Sequence, residues 1–338
     1  MPLGFNDNVR ARSEASRFNE SVALARITRV DAGHLVTTFL DNTTHRVEKR
    51  PRDSALVTGD WVWCNPSTGA IAAPIPRATE ITRATAAGTQ SLVADVDLVW
   101  LCVTGREASR NGLIERLAAI GWDSGATPLF VITKSDLLSK SELASAEMSI
   151  ARLAPGIEIV STSSSRADGA QSLLEHVPSA STSALIGHSG VGKSSLINAI
   201  THRGDLAVGS VRERDEKGRH TTTTRQIVDL GFDSVVIDTP GLRELGLAVS
   251  DDVLDSVFGE IADLARHCRF VDCSHRAEPE CAVREAVASG EIEQRRVDSY
   301  QKMQRERDYH RSKALPSQRE KDREYTRFAR EYRRARGH

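Results

Sequence analysis

Residues 185–200, "LIGHSGVGKSSLINAI", constrain the fold more than any other stretch of this chain. An apolar run, a glycine-rich turn and a helically spaced apolar pattern follow one another, a strand–turn–helix unit that needs an α/β sheet behind it. Gly187-His188-Ser189-Gly190-Val191-Gly192-Lys193-Ser194 fits G-x-x-x-x-G-K-[ST]. The glycines let backbone N–H groups curl around phosphate oxygens, and the helix amino terminus adds partial positive charge. Lys193 can reach the terminal phosphates and the Ser194 hydroxyl can ligate magnesium; with Ser195 on the first helical turn, residues 187–195 form a candidate phosphate site.

The surrounding text fits such a sheet. "DLVWLCVT" leads to a helical pattern at 110–121, "PLFVIT" to a helix at about 139–153, and "IEIVST" to a short helix near 170–177 before "SALIG". Apolar strands alternating with helices predict a mostly parallel sheet covered on both faces. Beyond the loop helix, "RQIVDLG" and "SVVIDTP" read as a hairpin pair of strands. Before all of this, residues 21–76 hold five short β-rich runs ("SVALARITRV", "HLVTTFL", "HRVEKR", "GDWVWC", "AIAAPI") separated by turn residues. That spacing fits a five-stranded OB-type barrel, which binds nucleic acid or merely packs on its neighbour; Arg46, Lys49, Arg50 and Arg52 favour nucleic acid. Residues 1 to about 20 are polar and expected to be loosely held. After Asp251 the chain turns helical and highly charged. A chain of 338 residues is long enough for three units. We expect a tail and OB-fold RNA-binding domain over 1–86, an α/β P-loop domain over 87–250, and a small metal-binding helical domain with a basic tail over 251–338.

The motifs stand in an unusual order. "VVIDTPG", 235–241, ends a strand in Asp238, which can hold magnesium through water, while the Gly241 N–H can meet a γ-phosphate. "TKSD", 133–136, ends an earlier strand: Asp136 can accept the N1–H and exocyclic amine of guanine, the Lys134 stem can lie over the base, and Thr133 stands where asparagine is more usual. Ser161, Thr162 and Ser163, at the end of "IEIV", can offer backbone donors to the guanine oxygen. In "EKGRHTTTTRQ", 216–226, any of four threonines can complete the magnesium shell when a γ-phosphate is present, which would make the segment a switch. GTP-binding domains usually place phosphate loop and switches before the base-reading motifs. Here the base-reading motif comes first, so the domain is expected to be circularly permuted, a rearrangement that leaves core contacts intact when termini lie close together at the surface.

Charge and cysteines mark the last segment. Of 45 Lys and Arg and 46 Asp and Glu, residues 295–338 hold 15 and 7, leaving 30 and 39 for the rest of the chain. Such a basic tail meets phosphate backbones or forms a solvated helix laced with opposite charges. Three of the five cysteines crowd into Cys268-x4-Cys273-x-His275-x5-Cys281, where three thiolates and an imidazole suit a closed structural zinc site, against the alternative of buried free cysteines. His267 competes as a ligand, and Cys64 and Cys102 read as core residues. No apolar run approaches the ~18 to 20 residues that span a bilayer, and the amino terminus lacks a signal-peptide pattern. A cytoplasmic protein with no membrane partner is expected, and a monomer, since nothing suggests an obligate dimer.

With "GHSGVGKSSLIN", "KGRHTTT", "DTPGLRELGL", the Cys-Cys-His-Cys cluster and an amino-terminal barrel in one chain, the sequence resembles the circularly permuted, small-subunit-dependent GTPases of the RsgA (YjeQ) family over about residues 20–300. The resemblance implies a GTP hydrolase that binds GTP and GDP with magnesium, carries structural zinc, associates with the small ribosomal subunit and its rRNA, and assists late subunit maturation. It also places the switch threonine at Thr222, as a magnesium ligand and catalytic group beside Lys193, and the hydrolytic histidine at His220. Leu242 stands where many GTPases place a water-orienting glutamine. Two other functions compete: a GTP-dependent zinc-handling regulator, and an RNA-binding adaptor with a purely structural nucleotide site.

Overall fold

A computed structural model describes residues 3–16, 21–85, 88–166, 169–201, 225–238 and 249–314. His220, Thr222, Gly241, Leu242 and the tail beyond 314 lie outside the described residues. From the amino end, helix α1 (Asp7–Ser16) precedes strands β1 (Ala23–Asp31), β2 (His34–Phe39), β3 (Thr44–Glu48), β4 (Trp61–Cys64), β5 (Ile71–Pro74), β6 (Glu80–Thr85), β7 (Gly88–Ala94) and β8 (Leu98–Thr104). Then come α2 (Gly105–Ala108), α3 (Asn111–Asp123), β9 (Thr127–Thr133), α4 (Lys140–Leu153), β10 (Glu158–Ser161), α5 (Gln171–Leu174), β11 (Thr182–Ile186) and α6 (Lys193–Thr201). Strands β12 (Arg225–Gly231) and β13 (Ser234–Asp238) lead to α7 (Asp251–Val257), α8 (Gly259–Ala265), α9 (Ala282–Ser289) and α10 (Gln294–Ala314).

Strands β10, β9, β8, β11 and β13 pair in parallel in that order, and β12 adds antiparallel to β13. The continuous apolar run of β8 follows from burial on both faces. Val99, Leu101 and Val103 join a core with α3 and α4, while Leu98, Trp100 and Cys102 join one with Leu196, Ile197 and Ile200 of α6. Helix α4 starts where its sequence says it should: the Ser139 hydroxyl accepts from the Glu142 N–H, and the Glu142 carboxylate accepts from the Ser139 N–H at 2.8 Å.

The five β-rich runs become β1–β5, with Ala25, Ile27, Leu35, Phe39, Leu56, Val62, Cys64 and Ile71 as their core. Residues 1–20, expected to be loose, are corrected in part: α1 is helical, and Leu3 and Val9 are buried against Leu24, Trp61, Trp63 and Ile75. With so few apolar residues in a polar stretch, the helix owes its place to tryptophans on a distant strand. Two further features carried no sequence signal. Strands β6 and β7 pair antiparallel from Glu80↔Ala94 to Thr85↔Gly88, and β1 pairs antiparallel with β12 through Arg29↔Gln226 and Val30↔Arg225, so the barrel and the α/β sheet form one eleven-stranded sheet.

Two arginines close the junctions, Arg26 fully buried and Arg296 partly buried. Arg26 donates to the carbonyls of Gly59 (2.9 Å), Asp95 (2.8 Å) and Leu3, and to the Thr182 hydroxyl (2.7 Å) at the start of β11. On the other side α7–α10 share the α/β core through Leu254, Val257, Phe258, Ile261, Val283 and Tyr300. There Arg296 of α10 pairs with buried Glu115 of α3 at 2.6 Å and with Glu260 of α8 at 2.5 Å, and donates to the Val257 carbonyl at 2.6 Å. Among the described residues no helix is long and apolar enough to cross a membrane.

Candidate functional site

The parallel register brings the candidate motifs to one edge. Leu101 pairs with Ile186, Thr104 with Thr133, Ile132 with Ser161, and Ala184 with Ile237, one residue before Asp238. All of these strands therefore deliver their carboxyl ends to the crevice where open α/β sheets bind ligands. Asp238 is buried there at the end of β13.

The loop of residues 187–192 depends on glycine for close approach. A Cβ on Gly187 would stand 2.6 Å from the Cys102 carbonyl oxygen, and Gly192 adopts φ +113° beside Thr133 and Lys134. Val191 is wholly buried, whereas His188, Ser189 and Gly190 are exposed and Lys193, Ser194 and Ser195 half-buried at the start of α6. Lys193 Nζ donates to the carbonyls of Gly187 (2.5 Å) and His188 (3.0 Å), so its ammonium already lies over the loop.

The base-reading segment, some fifty residues earlier in the chain, is tied to this loop directly. The Thr133 hydroxyl donates to the Val191 carbonyl at 2.6 Å, and Lys134 Nζ to the Gly190 carbonyl at 2.7 Å. Lys134 takes a left-handed conformation, φ +56°, which turns its stem back across the loop. Thr133, standing for the more usual asparagine, thus keeps a hydrogen bond to the phosphate loop. Asp136 is exposed and accepts from the Ser163 hydroxyl at 2.5 Å, while Ser163 lies 2.9 Å from the Ser165 hydroxyl. Those hydroxyls hold the Asp136 carboxyl below its ordinary range, so it is ionised at neutral pH. Thr162 binds the Ile132 carbonyl through its N–H (2.8 Å) and accepts from the Ser135 N–H (3.1 Å), which clamps the Ser161–Thr162 turn onto the Thr133–Asp136 turn. Nothing in "SSSR" marks the side-chain bond from Ser163 to Asp136. A cavity of about 650 Å³ lined by Thr104, Gly105, Arg106, Thr133, Lys134 and Leu138 opens at the same edge.

The second constellation lies on the helical side of the sheet. The ligand atoms of Cys268, Cys273, His275 and Cys281 all fall within 4.8 Å of one another. Cys268 Sγ is 3.8 Å from Cys281 Sγ, and His275 Nδ1 is 3.6 Å and 3.5 Å from those two sulfurs. A tetrahedral ion with bonds near 2.3 Å to sulfur and 2.0 Å to nitrogen requires separations of about 3.8 Å between sulfurs and about 3.5 Å from sulfur to nitrogen, so the donor set fits zinc. The sulfurs are far beyond disulfide length, and all five cysteines are free. His267, the competing ligand, stands outside the cluster with Nδ1 3.1 Å from the Asp263 carbonyl. The turn is braced locally: Glu278 accepts from the N–H groups of Ser274, Arg276 and Ala277, and Gln301 of α10 donates to the carbonyls of Ser274 and His275. Cys64 and Cys102 are buried in apolar surroundings that push both thiols up to about 12, as core residues should be.

Comparison with known proteins agrees with this architecture. The RsgA GTPase family profile matches residues 74–248. A protein of Streptomyces coelicolor named "Small ribosomal subunit biogenesis GTPase RsgA" is 39% identical over 85% of this chain and 81% of its own length. One of the same name from Opitutus terrae is 41% identical over 78% of this chain and 71% of its own. The crystal structure of YjeQ from Thermotoga maritima superposes with a TM-score of 0.62 at 28% identity, over 85% of this chain and 98% of that one. YloQ, described as a circularly permuted GTPase, matches with a TM-score of 0.57 at 21% identity over 87% and 99% of the two chains, a likeness of fold.

Proposed function

The chain belongs to the RsgA GTPase family, and from that premise we propose that it hydrolyses GTP as a late maturation factor of the small ribosomal subunit, cytoplasmic and stimulated by the subunit it serves. The observation that carries this reading is the direct bonding of the base-reading turn to the phosphate loop, Thr133 to Val191 and Lys134 to Gly190.

In this reading the backbone of residues 187–195 cradles the phosphates and Lys193 exchanges its loop carbonyls for phosphate oxygens. The Lys134 stem lies over the guanine, and Asp136, ionised and oriented by Ser163, accepts from N1–H and the amine while Ser161 and Thr162 line the neighbouring edge. A base that left Asp136 unmatched would bind far less well. Ser194 and Asp238, joined by Thr222, would hold magnesium, which would neutralise developing phosphate charge. Gly241 would donate to the γ-phosphate. His220 would orient the attacking water on the small subunit, since Leu242 cannot. Zinc on Cys268, Cys273, His275 and Cys281 would be structural, because a closed three-thiolate shell keeps no open position for chemistry. The barrel and the basic tail would grip rRNA phosphates, with the protein acting as a monomer.

The test is GTP turnover and co-sedimentation with small subunits for wild type and His220→Ala. Loss of stimulated turnover with unchanged GTP binding supports His220 as the water-orienting group; retained stimulation removes it from that role. Binding to subunits should weaken steeply with salt, since each neutralised phosphate releases counterions. A flat salt response would remove phosphate contacts as the grip.

A further inference from the structure

We propose that Glu107 is a positioning residue for the phosphate loop, acting through the imidazole of His188. The inference rests on the nucleotide-binding reading above and extends it to an element outside the motifs. Glu107 is the third residue of α2, the short helix after β8, and is only 6% exposed. One carboxylate oxygen accepts from the Thr104 N–H at 2.9 Å and the Thr104 hydroxyl at 2.8 Å, which fixes the carboxylate on the helix it caps. The other oxygen pairs with His188 Nε2, the second residue of the phosphate loop. A buried carboxylate oxygen that lost this donor would be left unsatisfied, a larger penalty than breaking an exposed ion pair.

The consequence for the loop follows from the rest of His188. Its carbonyl accepts from Lys193 Nζ at 3.0 Å and from the Val191 N–H at 3.4 Å. One residue therefore has its side chain anchored on α2 and its backbone oxygen holding the lysine that would meet phosphate. Fixing the side chain restricts the peptide orientation at 188, and with it the placement of the N–H groups that follow. The same helix also braces the base-reading side: a Cβ on Gly105 would stand 2.5 Å from Leu138, just beyond the Thr133–Asp136 turn, and Ser149 of α4 donates to the Ala108 carbonyl at 3.0 Å. Helix α2 touches both halves of the proposed pocket, and Glu107 is its link to the phosphate half.

The experiment measures dissociation rates and affinities of a fluorescent GDP and of GTP for the full chain, in wild type, His188→Ala, His188→Gln, Glu107→Gln and the double variant Glu107→Gln/His188→Ala. We expect His188→Ala and Glu107→Gln each to release nucleotide about five- to tenfold faster, within the reach of one charge-assisted hydrogen bond. The double variant should be no worse than either single change, as required of one shared interaction. His188→Gln, which keeps an N–H donor, should recover most of the loss. Unchanged release from His188→Ala, or losses that multiply in the double variant, would overturn the proposal, and His188→Ala decides the matter if Glu107→Gln folds poorly. Should wild type show no preference for guanosine over adenosine nucleotides, the base-reading function fails instead, a result separate from any difference among these variants.

Discussion

The two junctions flanking the α/β sheet use the same residue type in opposite chemical settings. At the barrel, Arg26 is fully buried, lies over Trp61 with its guanidinium carbon 5.0 Å from the ring centroid, and spends its hydrogen bonds on neutral carbonyls and a hydroxyl. Burial pushes its pKa down to about 10, with Asp95, Asp97 and Asp60 opposing the fall, so it stays a cation at neutral pH. At the helical side, Arg296 lies 4.4 Å over Phe258 and meets carboxylates directly, one of them almost wholly buried. The first arginine stitches the backbone of segments far apart in the chain where a sheet continues from barrel to α/β unit. The second neutralises charge where helices share an apolar core. Stability at the barrel should therefore depend on filling carbonyls, and at the helices on matching charges and on the four-ligand cluster that fits zinc.

Metal removal should separate the two most strongly. Chelation, or Cys281→Ser, is expected to abolish zinc binding and expose amides of α8 and α9 to hydrogen exchange while β1 and β12 stay protected, because structural zinc contributes folding free energy where it binds. His267→Ala should retain the ion. Uniform loss of protection across both junctions would break the distinction. Next in size, Arg296→Met leaves Glu115, 1% exposed, without its counter-charge. About 3–5 kcal/mol should be lost in urea unfolding, and Glu115→Gln in the same chain should recover part of it. Arg26→Met leaves neutral acceptors unfilled, so its cost should be smaller, about 1–3 kcal/mol, with faster exchange in β1 and β12. A greater loss at Arg26 than at Arg296 would reverse the comparison.

The smallest effect is one of sign with pH. Burial raises the Asp95 pKa at the barrel junction, so the folded state holds its proton more tightly; that contribution is present below the unfolded pKa and lost as pH rises through the folded one. Arg295 and Arg152 hold Glu293 at the helical junction down to about 2, so its contribution is present above the unfolded value near 4 and lost as pH falls toward about 2. Acidification from neutral pH should loosen α10 before β1, as read by exchange at each junction. Loosening in the reverse order would contradict the assignment.

What the sequence disclosed follows the range of each interaction. Glycine turns, apolar runs and cysteine spacing are local, so the phosphate loop, the strands β1–β5 and β8–β13 and the four-ligand cluster were legible from residues near one another. The pairing of β1 with β12 joins Val30 to Arg225, and the placing of α1 rests on Trp61 and Trp63; neither leaves a pattern in its own segment. The same holds within the site. Thr133, Lys134 and Asp136 announced themselves as a motif, whereas Glu107 is a single acidic residue whose role exists only because β8 lies beside β11 and brings it to His188.

Phosphate release from GTP and from ATP, measured on the zinc-loaded protein alone and with purified small or large ribosomal subunits, tests the central claim most directly: two segments in permuted order meet as one guanine-nucleotide site that answers to the small subunit. The account predicts slow release from GTP alone, severalfold faster release with small subunits only, and none from ATP. Equal release from ATP, or indifference to small subunits, would contradict it.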